Sequence, residues 1–127
     1  MADSQCLKVE TNVAVPMRDG KKLYADIYRP DGPGPFPVIL VRTPYDKTTP
    51  GTMLMLDPLK AAKNGYATVI QDTRGRYTSE GEFYAFRDDI NDGYDTVEWA
   101  ASQPWSSGKV GMCGTSYVGA TQWLTAI

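Results

Sequence analysis

The strongest candidate for a reactive side chain is a serine in a turn that is bounded by glycines. Ser116 lies in the segment GTSYVG at 114–119, after a short apolar run and before a segment with helical character. A strand, a tight turn and a helix in this order hold a serine hydroxyl exposed at the carboxyl edge of a sheet, beside backbone N–H groups of the helix. Ser116 is therefore a candidate nucleophile. A serine in an ordinary turn is the alternative, and Val118 stands where the commoner G-x-S-x-G pattern has its second glycine.

The groups that would activate such a serine are missing from the sequence. The chain contains no histidine, and residues 117–127 contain no aspartate or glutamate. Acids further upstream, such as Asp72 and Glu80, would need strongly raised pKa values to act as general bases near neutral pH. Ser-His-Asp chemistry is therefore excluded for these residues in isolation.

The composition is that of an ordinary globular domain. The 127 residues are 42% hydrophobic and 22% charged, with a net charge of −2. Lysine and arginine form no stripe, so nucleic acid is not an expected partner. No apolar run approaches the roughly 20 residues of a membrane span, and the polar N-terminus does not resemble a signal peptide. We expect a cytoplasmic protein with reduced Cys6 and Cys113 thiols, no metal ion and no cofactor.

The pattern along the chain predicts strands that alternate with helices. Strands are expected at 7–18, 22–29, 38–41, 67–70 and 110–113, and helices at 58–64, at 88–103 and after Ser116. An Asp-Gly turn between the first two strands predicts a hairpin, and the proline-rich segment 30–37 predicts a loop. The expected fold is α/β, with a mostly parallel sheet, an antiparallel hairpin at one edge and helices on both faces.

Five stretches of the sequence carry a family resemblance. They are VPMRDG at 15–20, VRTPYDK at 41–47, GYATVIQDTRGR at 65–76, SEGEF at 79–83 and VGMCGTSY at 110–117. Together they closely resemble the cocaine esterase-like hydrolases, which are relatives of the X-Pro dipeptidyl peptidases within the α/β-hydrolase superfamily. This family carries Ser-Tyr-x-Gly at the turn. In that motif Val118 occupies the variable position, and Gly119 is the second glycine.

The resemblance implies a role for three residues. Ser116 would be the acylated nucleophile, and the phenol of Tyr45 and the backbone N–H of Tyr117 would stabilise the oxyanion. Residues 1–127 would form an incomplete α/β-hydrolase domain that ends in the helix after the nucleophile turn, with the acid and the histidine beyond it. The substrate would be a small-molecule ester or a peptide. Without the resemblance, Tyr45 would be interpreted as a loop aromatic with its hydroxyl in water.

The residues leave two further interpretations open. Arg74 and Arg76 could clamp a substrate carboxylate, although we expect them to brace their own loop. The chain could also be a non-catalytic fragment, because it lacks the acid and the base. Strand 110–113 would then be an open, apolar sheet edge, and Trp123, Leu124 and Ile127 would be exposed and promote association.

Overall fold

The computed structural model describes residues 6–127, which form a single sheet with four helices. The strands are β1 (Leu7–Pro16), β2 (Lys22–Pro30), β3 (Phe36–Thr43), β4 (Ala67–Asp72) and β5 (Ser106–Met112). The helices are α1 (Pro50–Met55), α2 (Pro58–Lys63), α3 (Asp89–Ser102) and α4 (Tyr117–Ala126). The α/β class is confirmed.

The strand order is β1-β2-β4-β3-β5, and the sheet is mixed. The hairpin of β1 and β2 lies at one edge, as predicted, and β4-β3 and β3-β5 pair in parallel. However, β2 also pairs antiparallel with β4, so the prediction of a mostly parallel sheet was wrong. The sequence pattern predicts the hairpin from its local turn, but it does not say which central strand the hairpin joins.

Both faces of the sheet bury apolar side chains, because residues of β3 and β4 alternate between two clusters. Val38 and Leu40 belong to a cluster that includes Ala100 of α3. Val41 belongs to a second cluster that includes Val118 of α4. A strand covered on both faces reads as a continuous apolar run, which is why these two strands were predicted from sequence.

Two elements differ from the prediction in instructive ways. Helix α1 was not predicted, since its short sequence contains Gly51 and has no apolar periodicity. Strand β3 begins at Phe36 and so includes Pro37, which lies within the predicted loop 30–37. The register with β5 is irregular between Phe36 and Val38, and a bulge is a position where a strand tolerates the missing N–H of proline.

Strand β5 occupies the other edge of the described sheet. It starts at Ser106, so the edge carries serine, glycine and Lys109 in addition to the predicted apolar residues. Beyond it, Trp123 is 80% exposed and Ile127 is 86% exposed, whereas Leu124 is partly buried. Among residues 6–127, no helix has both the length and the apolar character needed to cross a bilayer.

Candidate active site

Three loops meet at the carboxyl ends of the central strands, because the strands that precede these loops are parallel neighbours. Strands β4, β3 and β5 lie side by side, so their carboxyl ends share an edge. Tyr45 follows β3, Arg76 follows β4, and Ser116 follows β5. The edge therefore collects the candidate nucleophile, one proposed oxyanion donor and a cation.

Ser116 occupies a sharp turn between β5 and α4. Its φ of 59° and ψ of −130° lie in a sparsely populated region for a residue with a side chain, as expected where a turn presents a functional group. The side chain is exposed. The carbonyl of Ser116 accepts hydrogen bonds from the N–H groups of Gly119 (2.9 Å) and Ala120 (3.1 Å), so α4 starts directly behind the hydroxyl. This is the predicted strand, turn and helix.

Close packing behind the turn depends on Gly114. Its φ is 132°, and a Cβ atom there would collide with Cγ1 of Val118 and lie 3.6 Å from Sδ of Met55. Val118 is fully buried in the second cluster, so it cannot give way easily. A Cβ on Gly119 would instead lie at an ordinary 3.6 Å from the Gly114 oxygen. Gly114 is thus the glycine that the turn requires sterically.

The phenol oxygen of Tyr45 lies 3.3 Å from Oγ of Ser116, and either atom can donate the hydrogen bond. Tyr45 is 48% exposed and Ser116 is exposed as well, so solvent reaches both side chains. The backbone N–H of Tyr45 donates to Oγ1 of Thr43 at 3.0 Å, which turns the chain as it leaves β3. The structure thus brings together two residues that are 71 positions apart in the sequence.

A buried ionic cluster holds the loop that carries Tyr45. The ammonium of Lys47, which is 2% exposed, lies 3.2 Å from the Asp26 carboxylate and donates to Oδ1 of Asn12 at 2.8 Å. The backbone N–H of Lys47 donates to Oδ1 of Asp72 at 2.8 Å. Because every partner belongs to the sheet, the Tyr45 loop is attached to a rigid support.

Arg74 and Arg76 brace their loop, in agreement with the preferred interpretation. Arg74 forms ion pairs with Asp19 and Asp92 at 2.8 and 2.7 Å, and these hydrogen-bonded carboxylates raise its pKa. Nε of Arg76 donates to the Pro44 carbonyl at 3.0 Å, next to Tyr45. Both guanidinium groups therefore bind carboxylates and a carbonyl of the chain itself.

Tyr117 is the first residue of α4, and an N–H at this position has no acceptor within its own helix. Its phenol donates to Oδ2 of Asp89 at 2.7 Å and accepts the Phe86 N–H at 2.9 Å. Its ring stacks on that of Phe86 at a centroid distance of 4.6 Å. Burial, with a contribution from Asp89, raises the pKa of the Tyr117 phenol to about 12, so it remains a donor at neutral pH.

Several residues that support this site were not recognised from sequence. They are the charged groups of the buried contacts: Asp26, Arg42, Lys47, Asp72 and Asp89. A charged residue next to an apolar strand run, such as Arg42 after residues 38–41, can indicate a buried ion pair. Such a residue does not, however, identify its partner. Within residues 6–127, no three potential metal-binding side chains come together to hold an ion.

The sequence matches those of known hydrolases. The sequence pattern of the X-Pro dipeptidyl-peptidase (S15) family matches residues 19–127. The chain is 51% identical over 125 residues to cocaine esterase from Rhodococcus sp. (strain MB1 Bresler), a match that spans 94% of this chain and 21% of that protein. The chain therefore spans about a fifth of the length of this relative.

Solved structures agree with this match. An α-amino acid ester hydrolase superposes with a TM-score of 0.80 at 34% identity, over 98% of this chain and 24% of that one. A CocE/NonD family hydrolase from Staphylococcus aureus superposes with a TM-score of 0.84 at 32% identity, over 94% of this chain and 25% of that one. The sheet and its helices thus have the arrangement found in the amino-terminal part of larger hydrolases.

Proposed function

The chain belongs to the X-Pro dipeptidyl-peptidase (S15) family, and we propose from this premise that it carries the nucleophile and the oxyanion donors of a serine hydrolase. The proposed substrate is a carboxylic ester, because cocaine esterase and the α-amino acid ester hydrolase are among its relatives. A peptide with proline after its first residue is the second candidate, since the family description names X-Pro dipeptides.

The single observation that supports this proposal is the approach of the Tyr45 phenol to within 3.3 Å of Ser116 Oγ at the strained turn. When a serine attacks an acyl carbon, the carbonyl oxygen becomes negatively charged close to the serine oxygen. Donors that already point at this position stabilise the charge without reorganisation. The phenol of Tyr45 and the N–H of Tyr117 flank Ser116 from different segments, as two such donors would.

The proposed reaction begins with attack of Ser116 Oγ on the acyl carbon, which forms a C–O bond and transfers the hydroxyl proton to a general base. Collapse of the tetrahedral intermediate breaks the bond to the leaving group, which takes up a proton, and water then hydrolyses the acyl-serine. The chain has no histidine, so we assign the base to residues outside these 127. The cytoplasmic location stays a prediction.

A hybrid enzyme tests the proposal. In this hybrid, the chain replaces the matched segment of the Rhodococcus cocaine esterase, with which it shares 51% identity. We expect a fluorophosphonate probe to label Ser116, and a Ser116→Ala variant to lose both the label and the hydrolysis of a 4-nitrophenyl ester. Ser107→Ala is the matched control, because Ser107 is exposed on the edge strand.

Two results would contradict the proposed function. The first is a hybrid enzyme that folds but neither reacts with the probe nor hydrolyses the ester. The second is a Ser116→Ala variant that keeps the activity of the parent hybrid, which would place the nucleophile elsewhere.

A further inference from the structure

A buried carboxylate joins the two segments that supply the proposed oxyanion donors. Asp89 begins α3 and is 4% exposed. Its Oδ1 atom accepts a hydrogen bond from the guanidinium of Arg42 at 3.1 Å, and its Oδ2 atom accepts one from the phenol of Tyr117 at 2.7 Å. One carboxylate oxygen therefore holds a residue near the end of β3, and the other holds the first residue of α4.

Arg42 connects this carboxylate to the Tyr45 side of the site. It lies near the carboxyl end of β3, shortly before Tyr45, and its side chain is fully buried. Nε of Arg42 donates to Oε1 of Gln71 at 2.7 Å on the neighbouring strand, which fixes the guanidinium. The carbonyl of Arg42 also accepts from Oγ1 of Thr121 in α4 at 3.3 Å. Strand β3 and helix α4 are thus connected directly by this hydrogen bond and indirectly through Asp89 of α3.

Tyr117 connects the same carboxylate to the nucleophile side. Its backbone N–H is the proposed second oxyanion donor, and its phenol is held by Asp89 and by the N–H of Phe86. Phe86 has a φ of 66°, a conformation that a bulky residue adopts only when its surroundings hold it there. The phenol therefore orders the chain before α3 and the first residue of α4 together.

We propose that Asp89 is a positioning residue that sets the separation of the two oxyanion donors by holding Arg42 on one carboxylate oxygen and Tyr117 on the other. Asp89 acts through these residues and does not touch the reacting atoms. Catalysis depends steeply on such placement, and a displacement of about 1 Å can lower the rate by about a hundredfold. The inference rests on the proposed function, because the two donors matter only if Ser116 is acylated.

The test uses the hybrid enzyme with two variants, one at Asp89 and one at its hydrogen-bond partner Tyr117. Asp89→Asn removes the charge that Arg42 pairs with, and Tyr117→Phe removes the phenol but keeps the ring against Phe86. We expect each variant to lower kcat about ten- to a hundredfold, with little change in KM, because the donors act on the transition state. Inhibition by an aryl boronic acid, which forms a tetrahedral adduct on serine, should weaken by a similar factor.

Asp92→Asn is the matched control for loss of a buried ion pair. Asp92 lies on the same helix, is 2% exposed and pairs with Arg74 at 2.7 Å, without contact to Tyr117. This variant and Asp89→Asn should both lower the thermal unfolding midpoint, but Asp92→Asn should keep the parent kcat. If Asp89→Asn does not fold, Tyr117→Phe still tests the proposal.

The possible failures can be told apart. Parent values of kcat and boronate inhibition in Tyr117→Phe would overturn the role of Asp89, and so would an equal loss of kcat in Asp92→Asn. If Ser116→Ala keeps the parent activity, the proposed function fails, and the positioning role fails with it.

Discussion

The sharpest perturbation of the proposed mechanism is Tyr45→Phe in the hybrid enzyme. It removes one oxygen atom and leaves the ring and the backbone contacts of the loop in place. The loop is fastened independently of the phenol, by Lys47 to Asp72 at 2.8 Å and by Arg76 to the Pro44 carbonyl at 3.0 Å. A change in activity would therefore report on the phenol and not on the fold.

The expected magnitude follows from the geometry. The phenol lies 3.3 Å from Ser116 Oγ, longer than a strong O–H···O bond, so little of its donor capacity is used before the reaction. A hydrogen bond to a charged group contributes about 1.5–3 kcal/mol, which corresponds to about 10- to 150-fold in rate. Removal of an oxyanion donor in other enzymes lowers kcat by about 10² to 10³. We expect a loss of about a hundredfold in kcat, with KM nearly unchanged.

The assay is steady-state hydrolysis of a 4-nitrophenyl ester by the parent hybrid and by Tyr45→Phe. Tyr66→Phe is the matched control, because Tyr66 is 41% exposed and precedes β4, at the opposite end of the strand from the site. A Tyr45→Phe enzyme with a kcat within about twofold of the parent would refute the reasoning, since a donor used only in the transition state must appear in kcat.

Three further predictions concern the turn, the buried charges and the isolated chain. Gly114→Ala should abolish ester hydrolysis by the hybrid, whereas Gly119→Ala, whose new Cβ has ordinary contacts, should keep it, as measured by kcat. Lys47→Met removes the cation that pairs with the buried carboxylates of Asp26 and Asp72. It should therefore destabilise the hybrid by about 3–5 kcal/mol, as measured by thermal unfolding. The 127-residue chain alone, which contains no histidine, should not hydrolyse an aryl ester faster than a variant without the nucleophile, and saturable turnover by a monodisperse preparation would contradict this.

The parts of the fold that were predicted correctly depend on local signals. The hairpin followed from alternating residues around an Asp-Gly turn, and β4 followed from an apolar run that proved buried at every residue. The mixed character of the sheet was missed because the pairing of β2 with β4 joins segments that are distant in sequence. Helix α1 was missed because six residues with a glycine among them carry little periodicity.

The sequence by itself determined the turn at Ser116, because its glycines, the apolar strand before it and the helix after it are features of neighbouring residues. It also indicated Tyr45 and Tyr117, but only through resemblance to a family. Only the tertiary structure decided that Tyr45 reaches Ser116 across 71 positions, and that Asp89 lies between Arg42 and Tyr117. Such contacts depend on which strands pair, and in which register, and no local pattern of residue types determines that.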